Sequence, residues 1–139
     1  GLEYGFSGED ISSGFNIMYR GAAIDHNGFH YSIPYAASSI VRTDPRDNSQ
    51  VLYSVSGFSS SSQKWVDALY APNKRIYAAS HAAPGLLQIN TEDPDNVTIS
   101  TVGSYGTQAR GIALVDNGNG TGRILTTSYS GSQVVRQLA

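Results

Sequence analysis

An internal repeat is the feature that most constrains the fold of this chain. One apolar segment occurs three times, at shifts of 46 and 48 residues. Every copy ends in an aromatic residue or histidine: His30-Tyr31-Ser32-Ile33-Pro34-Tyr35, Ile76-Tyr77-Ala78-Ala79-Ser80-His81 and Ile124-Leu125-Thr126-Thr127-Ser128-Tyr129. A period of this length indicates a chain built from copies of one supersecondary unit.

Three more runs recur with the same spacing. The first run is Arg20–Ile24, Trp65–Leu69 and Arg110–Leu114. The second run is Ser39–Arg42, Gly85–Gln88 and Gln133–Arg136. The third run is Val51–Gly57 and Val97–Gly103, with Leu2–Gly8 as the N-terminal counterpart. Asn-Gly follows the first run in two of the copies, and Asn-Gly between apolar runs is a strong hairpin signal. Each unit therefore has four short strands, which is the number found in a propeller blade.

These units predict an all-β fold, a β-propeller with three four-stranded blades in a single domain. The repeats span approximately residues 1–48, 49–96 and 97–139. With strand A innermost and strand D outermost, Leu2 to Ser7 form an outer strand without inner strands, and residues 110–138 form inner strands without an outer one. Because three blades cannot close a ring, we expect a six-bladed homodimer in which Leu2 to Ser7 of each subunit complete the last blade of the other.

Two other architectures fit the same pattern. One is a single-domain β-sandwich or barrel whose strands only look periodic. The other is a piece of a longer propeller chain, which Gly1 in place of an initiator methionine favours.

Composition narrows the range of partners. Charged residues make up 14% of the chain, with 9 basic and 11 acidic side chains, so the formal net charge of -2 gives no electrostatic reason to expect nucleic acid. The sequence contains no apolar run of membrane-spanning length and no cysteine for a disulfide or thiolate metal site. We therefore expect neither a nucleic-acid nor a membrane partner. The sequence does not determine the cellular compartment, although it favours a secreted or virion-associated protein.

The unit resembles the blades of the NHL and YVTN-type families of six-bladed propellers. Residues 65–90 and 110–138 carry the likeness, with an apolar inner strand, a turn, and a strand such as Arg75-Ile76-Tyr77-Ala78-Ala79-Ser80 before an apolar third strand. The resemblance implies that ligands bind at the face built from the D–A and B–C loops, near the central channel. Such families include lectin-like binders, lactonases, lyases and scaffolds, so the resemblance leaves the function open.

Residues at equivalent positions of the repeat are candidates to line that face. The B–C loops begin at an aromatic residue or histidine, and the inner strands begin at arginine or tryptophan. The candidate ligand-binding residues are Arg20, Tyr35, Trp65, His81, Arg110 and Tyr129. Such rings and guanidinium groups suit a glycan or protein ligand, so the main interpretation is a non-enzymatic binding module. The alternative for each residue is packing between blades.

A hydrolase, lactonase or lyase that uses the central channel is the alternative function. Asp67 lies in an apolar inner strand, aligned with Ala22 and Ile112, so its carboxylate needs a partner or a catalytic role. His81 is its natural partner, and the two would then act as acid–base or metal-binding groups. A structural ion pair or backbone hydrogen bond would explain Asp67 without catalysis.

No motif in the sequence identifies a cofactor. His26, His30 and His81 lack the spacing of a zinc site, and for a calcium site of the lactonase type only Asp67 is well placed. The sequence has no phosphate loop, dinucleotide fingerprint or Gly-x-Ser-x-Gly elbow. We expect no metal and no cofactor. A structural part selected for assembly remains a further alternative.

Overall fold

The computed structural model describes residues 17–59, 61–103, 108–128 and 134–138. All regular secondary structure within these ranges is β-strand, so the prediction of an all-β fold is confirmed. The strands are β1 (Tyr19–Ile24), β2 (His30–Pro34), β3 (Ser39–Asp44), β4 (Ser49–Ser54), β5 (Trp65–Tyr70), β6 (Arg75–Ser80), β7 (Leu86–Asn90), β8 (Thr98–Val102), β9 (Ala109–Asp116), β10 (Gly122–Ser128) and β11 (Val134–Gln137).

The strands form three antiparallel sheets in which each strand pairs with its neighbours in the chain. The first sheet has the order β1-β2-β3-β4 and the second the order β5-β6-β7-β8. The third contains β9, β10 and β11 among the described residues. The prediction of four-stranded units is thus met by the first two sheets. The predicted outer strand, Leu2 to Ser7, lies outside the described residues, and its pairing stays a prediction.

The connections between strands alternate between two faces of the molecule. We call the face with the β2–β3, β4–β5, β6–β7 and β8–β9 connections the loop face, and the opposite one the turn face. On the turn face Asp25 closes the β1–β2 hairpin, because its carboxylate accepts hydrogen bonds from the backbone N–H groups of Asn27 (2.9 Å) and Phe29 (3.0 Å). The predicted Asn-Gly hairpin is therefore held by an aspartate just before it.

The sheets pack face to face, with the second sheet in the middle. One apolar cluster joins the first and second sheets and includes Tyr31, Ile33, Ile40, Trp65, Ile76 and Leu87. Another joins the second and third sheets and includes Tyr77, Leu86 and Ile124. Because both faces of the second sheet are covered, β6 is buried from Ile76 to Ser80. A strand buried on both faces reads as a continuous apolar run, as this one does.

Each innermost strand contains a β-bulge near the loop face. The pairing register shifts between Tyr19 and Ala22 in β1 and between Trp65 and Asp67 in β5, and β9 has the same irregularity. The registers make Asp67 equivalent to Gly21 and Gly111, not to Ala22 and Ile112. They also make Trp65 equivalent to Tyr19 and Ala109, not to Arg20 and Arg110. The sequence alignment was therefore wrong by one residue in β5.

Two sheet faces carry exposed apolar side chains. The face of the first sheet that points away from the second carries Ile24 (59% exposed) and Leu52 (52%). A cleft of about 260 Å³ lies on this face, lined by Ile24, Gly28, His30, Thr43, Pro45, Asn48 and Gln50. On the third sheet, Val115 (43% exposed) points away from the second sheet. Ser32 and Val41 lie on the same face of the first sheet as Leu52 and are buried, so that face is exposed only in part.

Candidate functional site

Lys64, the residue before β5, joins two loops of the loop face. Its backbone N–H donates to the Tyr35 carbonyl (2.9 Å), and its carbonyl accepts from the N–H groups of His81 (2.8 Å) and Ala83 (3.3 Å). Its ammonium group donates to the Ala36 carbonyl (3.3 Å). Lys64 therefore connects the β2–β3 loop of the first sheet to the β6–β7 loop of the second.

The Lys64 side chain is buried although it carries a charge. It is 4% exposed, and this loss of solvent lowers its pKa below the ordinary value of 10.5. It forms no ion pair with any residue that the structure describes. A buried ammonium group with one neutral acceptor is energetically costly, so its position needs a physical reason.

Three residues predicted from the sequence lie close together, and two of them, Tyr35 and His81, form hydrogen bonds with the backbone of Lys64. The Tyr35 and His81 rings lie 5.9 Å apart between centroids, at an interplanar angle of 43°. The guanidinium carbon of Arg20 lies 5.2 Å from the centroid of the Tyr35 ring. We call Arg20, Tyr35, Lys64 and His81 the Lys64 cluster.

His81 contains a ring nitrogen without a hydrogen bond. Its side chain is 9% exposed, and its Nδ1 atom is buried without a hydrogen-bond partner in the described part of the chain. Buried polar atoms are normally paired; side-chain atoms of Asn27, Thr43 and Asn73 are further exceptions among the described residues, and the imidazole is the one of these groups that can take up and release a proton. The Tyr35 ring beside it restricts how the imidazole can turn.

Trp65 belongs to the core and not to a ligand surface. Its side chain is fully buried between the first and second sheets, and its Nε1–H donates to the Gly85 carbonyl at 2.9 Å. The structure thus contradicts its assignment as a ligand-binding residue and supports the alternative of packing between sheets. The indole is buried because the bulge in β5 turns it toward the first sheet.

Two predicted ligand-binding residues remain, Arg110 and Tyr129. Arg110 is exposed and occupies the bulge of β9, the position that Arg20 occupies in β1. Tyr129 lies outside the described residues, so its place on the loop face stays a prediction.

Asp67 is held by backbone amides. Its Oδ1 accepts from the N–H of Ala68 (3.0 Å), and its Oδ2 accepts from the N–H of Ile112 (3.2 Å). Its carboxylate thereby links the innermost strands of the second and third sheets. No hydrogen bond between Asp67 and His81 occurs in the described ranges. The geometry favours the structural role for Asp67 over the predicted catalytic pair.

An open cleft adjoins the Lys64 cluster on the loop face. Its volume is about 490 Å³, and it is lined by Ser56, Gly57, Phe58, Ser59, Ser61, Ala82 and Pro84. Ala82 follows His81 directly in the chain, and the imidazole itself is not part of the described lining. Its serine hydroxyls and the Phe58 ring offer both polar and apolar contacts to a ligand.

The described residues contain neither a metal-binding cluster nor a membrane-spanning helix. No group of three or more His, Asp or Glu side chains among them is placed to hold a metal ion. No helix in these ranges is long and apolar enough to cross a membrane.

Lys64 is the member of the cluster that the sequence did not identify. It follows a serine-rich loop and precedes an apolar strand, and such a lysine ordinarily points into solvent. The aligned residues Met18 and Gln108 are uncharged, and this difference is the only signal that the sequence offers. Its burial follows from the packing of two sheets, which no local pattern encodes.

Several solved structures of lyases have a similar fold. A streptogramin B lyase structure matches with a TM-score of 0.56 and 8% identity, over 86% of this chain and 40% of the lyase chain. Virginiamycin B lyase from Staphylococcus aureus matches with a TM-score of 0.54 and 13% identity, over 86% and 41%. A catalytically inactive His-to-Ala variant of that lyase, with quinupristin, matches with a TM-score of 0.54 and 9% identity, over the same shares.

These likenesses support a propeller-like fold. The lyases are β-propellers, and this chain spans about two fifths of their length. No protein-family model matches the sequence, and no curated protein matches it significantly. The resemblance to the NHL and YVTN-type families therefore stays a prediction.

The main functional interpretation from the sequence requires correction. It described a non-enzymatic module for a glycan or a protein, whereas the three solved structures described above, which share the fold, are lyases. This finding fits the hydrolase- or lyase-like alternative better. At identities of 8–13% the likeness extends to the fold alone.

Proposed function

We propose that this chain forms part of a lyase-like propeller enzyme in which His81 is the acid–base group. The observation that carries the proposal is the buried, unpaired Nδ1 atom of His81, the residue that precedes Ala82 of the loop-face cleft in the chain. In an elimination, a base removes a proton from one atom while the leaving group departs from the neighbouring atom. Imidazole is the side chain best suited to take that proton and pass it on near neutral pH.

The neighbours of His81 support this role. Tyr35 packs against the imidazole at 5.9 Å, and Lys64 holds the His81 backbone through a hydrogen bond of 2.8 Å. Both contacts fix the position of a proton-transfer group before substrate arrives, which is how acid–base catalysis gains efficiency. The cleft of about 490 Å³ beside Ala82 leaves room for a substrate.

The fold of the lyases adds independent support. In one of those enzymes a His-to-Ala change accompanies loss of catalysis. A histidine on a propeller of this kind is therefore a reasonable candidate for the essential group. The hydrolase or lactonase version of the proposal uses the same imidazole to activate water.

The test is a turnover assay with mass spectrometry. Quinupristin and a set of lactones are incubated with the protein; an elimination conserves the mass of the substrate in its products, whereas hydrolysis adds one water. We expect His81→Ala to lower kcat/KM by about 10²- to 10⁴-fold, the usual contribution of a general acid or base.

His26→Ala is the matched control, since His26 is exposed on the turn face, and it should leave turnover unchanged. Asp67→Asn should also keep turnover, because its carboxylate binds backbone amides. Unchanged turnover in His81→Ala, or no product from either set of compounds, would contradict the proposed function.

We propose further that the three sheets are three blades of an NHL-like six-bladed ring completed by a second copy of the chain. The exposed apolar faces around Leu52 on the first sheet and Val115 on the third support this arrangement, because blades of a propeller cover each other through such faces. Leu2 to Ser7 of one copy would add the outer strand to the third sheet of the other. The lyases, of which this chain matches two fifths, would supply the remaining sheets within one longer chain.

A further inference from the structure

We propose that Asn119 is a site of spontaneous covalent modification, at which the side-chain amide is converted to aspartate or isoaspartate. The chain contains three Asn-Gly dipeptides, at positions 27–28, 117–118 and 119–120, and the structure arranges the reacting groups of the third for this reaction. The site lies in the turn between β9 and β10, on the turn face. Modification there is independent of the proposed function, which concerns the loop face.

The reaction joins two neighbouring amides into a ring, which water then opens. The Gly120 backbone nitrogen attacks Cγ of Asn119, the bond from Cγ to Nδ2 breaks, and ammonia leaves with the proton that the Gly120 nitrogen loses. Water then adds to one of the two carbonyl carbons of the succinimide ring and restores the N–H, which gives aspartate or isoaspartate. Glycine favours the first step because it has no Cβ atom to obstruct ring closure.

The first supporting observation concerns the attacking nitrogen. Its proton must leave, and a hydrogen bond that the N–H donates stabilises the protonated form. The Gly28 N–H donates to the Asp25 carbonyl at 3.0 Å. The Gly118 N–H donates to Asp116 Oδ1 at 2.7 Å. The Gly120 N–H, in contrast, has no acceptor among the residues that the structure describes, so no such bond opposes its reaction.

The second observation concerns the carbonyl that is attacked. Asn119 Oδ1 accepts hydrogen bonds from the backbone N–H of Thr121, at 3.2 Å, and from the Thr121 hydroxyl. Negative charge develops on this oxygen as the nitrogen adds to Cγ, so both donors stabilise the intermediate. They also hold the side chain over Gly120, which lies between the two residues in the chain.

The Thr121 hydroxyl distinguishes Asn119 from Asn117. Asn117 Nδ2 donates to Thr121 Oγ1 at 3.1 Å, so this hydrogen bond lies on the nitrogen that would leave and not on the oxygen that would take the charge. A hydroxyl that accepts one hydrogen bond becomes a stronger donor in the next. The bond from Asn117 therefore strengthens the donation to Asn119 Oδ1.

The third observation is the space around the reacting groups. Asn119, Gly120 and Thr121 are exposed, and a Cβ atom at Gly120 would have no neighbour within 4 Å. The ring can therefore form without moving a packed side chain, and water can reach it. Asn27, in contrast, is half-buried, and its Nδ2 atom is buried without a hydrogen-bond partner in the described part of the chain.

The two products change the turn in different ways. Aspartate keeps an acceptor for Thr121 and adds a negative charge. Isoaspartate routes the backbone through the former side chain and lengthens it by a carbon atom, close to the pair Gly122–Asp116 of β10 and β9. Modification thus alters either the charge or the geometry of the β9–β10 hairpin.

The experiment compares the three dipeptides within one protein. Wild-type protein is kept at neutral pH and physiological temperature, and samples are digested at mildly acidic pH. Mass spectrometry with electron-transfer fragmentation then locates each amide-to-acid conversion. We expect conversion at Asn119 to be faster than at Asn27 or Asn117 by about tenfold or more. In urea the three rates should converge, because each asparagine then precedes a glycine in an unfolded chain.

Variants assign the selectivity to the turn. Thr121→Val removes the hydroxyl donor and should slow conversion at Asn119 in the folded protein by about threefold or more, without changing the rate in urea. Thr98→Val is the matched control, since Thr98 is exposed on β8 of the second sheet, and it should change neither rate. The wild-type comparison with urea tests the proposal by itself should Thr121→Val fail to fold.

Three outcomes would overturn the modification site. The first is equal rates at the three dipeptides of the folded protein. The second is a preference for Asn119 that is as large in urea as in the folded protein, since the turn would then not be its source. The third is a folded Thr121→Val protein in which Asn119 reacts as fast as in wild type. None of these measurements involves turnover, so they leave the proposed function to its own assay.

Discussion

Two ionisable side chains near the loop face, Lys64 and Asp67, are held in different ways. Asp67 has a backbone N–H on each carboxylate oxygen, at 3.0 and 3.2 Å, so its charge is compensated where it lies. Lys64 has one carbonyl at 3.3 Å and is 4% exposed. The first arrangement stabilises the fold, whereas the second leaves a charge that the fold does not need.

Replacing Lys64 should change how stability depends on pH. Burial lowers the pKa of Lys64 below 10.5, so between the lowered value and 10.5 the unfolded chain binds a proton that the folded protein does not. The free energy of unfolding of wild type should therefore rise with pH in that window relative to Lys64→Met. The variant should be at least as stable as wild type at pH 7, and its advantage should vanish by pH 10.5.

Urea unfolding of both proteins across this range measures the difference directly. Other ionisable groups are common to both proteins and cancel in the comparison, including Tyr31, whose pKa is raised by burial in both. If the difference in free energy of unfolding between Lys64→Met and wild type stayed constant from pH 7 to 10.5, the Lys64 ammonium group would not be desolvated as described.

At this scale the repeat predicted that Arg20, Tyr35 and His81 lie on one face, and the structure brings their side chains together. Their role in ligand binding stays a prediction. Trp65 was misassigned, since an indole at the start of an inner strand looks the same in sequence whether it faces a channel or a neighbouring sheet. Lys64 was missed because burial of a lysine depends on two loops that are distant in sequence.

At the scale of the element, the bulges of the innermost strands determine how the sheets approach each other. Gly21 lies in the bulge of β1 with φ of 80°, and a Cβ atom there would lie 2.9 Å from the Asp67 Cα atom. The equivalent Gly111 would place a Cβ atom 3.2 Å from Thr127 Oγ1 and 3.8 Å from Asp67 Oδ2. Glycine at these positions allows the inner strands to lie side by side.

Gly21→Ala should therefore destabilise the protein more than Gly28→Ala. Gly28 has φ of 87° but open space around it, so alanine there adds only the left-handed penalty of about 1–2 kcal/mol. Gly21→Ala carries the same penalty and a contact with the β5 backbone, which we expect to add about 1–3 kcal/mol. Equal free energies of unfolding in urea would show that β1 and β5 do not meet as closely as described.

The strands themselves were largely predictable, and their offsets were not. The apolar runs predict the strands of the first two sheets, with ends that differ by one to three residues; the fourth strand, for example, spans Ser49–Ser54 instead of Val51–Gly57. The alignment of β5 failed because a β-bulge inserts a residue without a change of composition. A repeat reveals periodicity, whereas a bulge is visible only in the pairing register.

At the scale of the whole molecule, the exposed apolar faces of the first and third sheets are the main open feature. Ile24, Leu52 and Val115 are 43–59% exposed, although they belong to sheets whose other faces are well packed. These side chains are where the second copy of the proposed ring would pack. In the proposed six-bladed ring the outward face of the first sheet of each copy packs against the outward face of the third sheet of the other. Two-fold symmetry makes these two contacts identical.

The ring predicts the mass in solution. Light scattering on the 139-residue chain should give twice 14.8 kDa. Leu52→Arg and Val115→Arg should each give the mass of one chain, because a charge would be buried at the contact. Glu92→Arg, on an exposed turn of the second sheet, should leave the dimer intact.

A wild-type mass of 14.8 kDa would contradict the ring of two copies. A dimer that tolerates both Leu52→Arg and Val115→Arg would place the contact elsewhere.

The sequence by itself determined the repeating unit, the all-β class, the two kinds of connection and the proximity of Tyr35 and His81. Each of these follows from local chemistry: alternation of apolar residues, β-branched segments and turn residues act within a few positions of each other. The tertiary structure alone decided that Trp65 lies in the core, that Asp67 links two inner strands and that Lys64 is buried between two loops. Those outcomes depend on how neighbouring sheets pack, and the contacts involved join residues that are far apart in the chain.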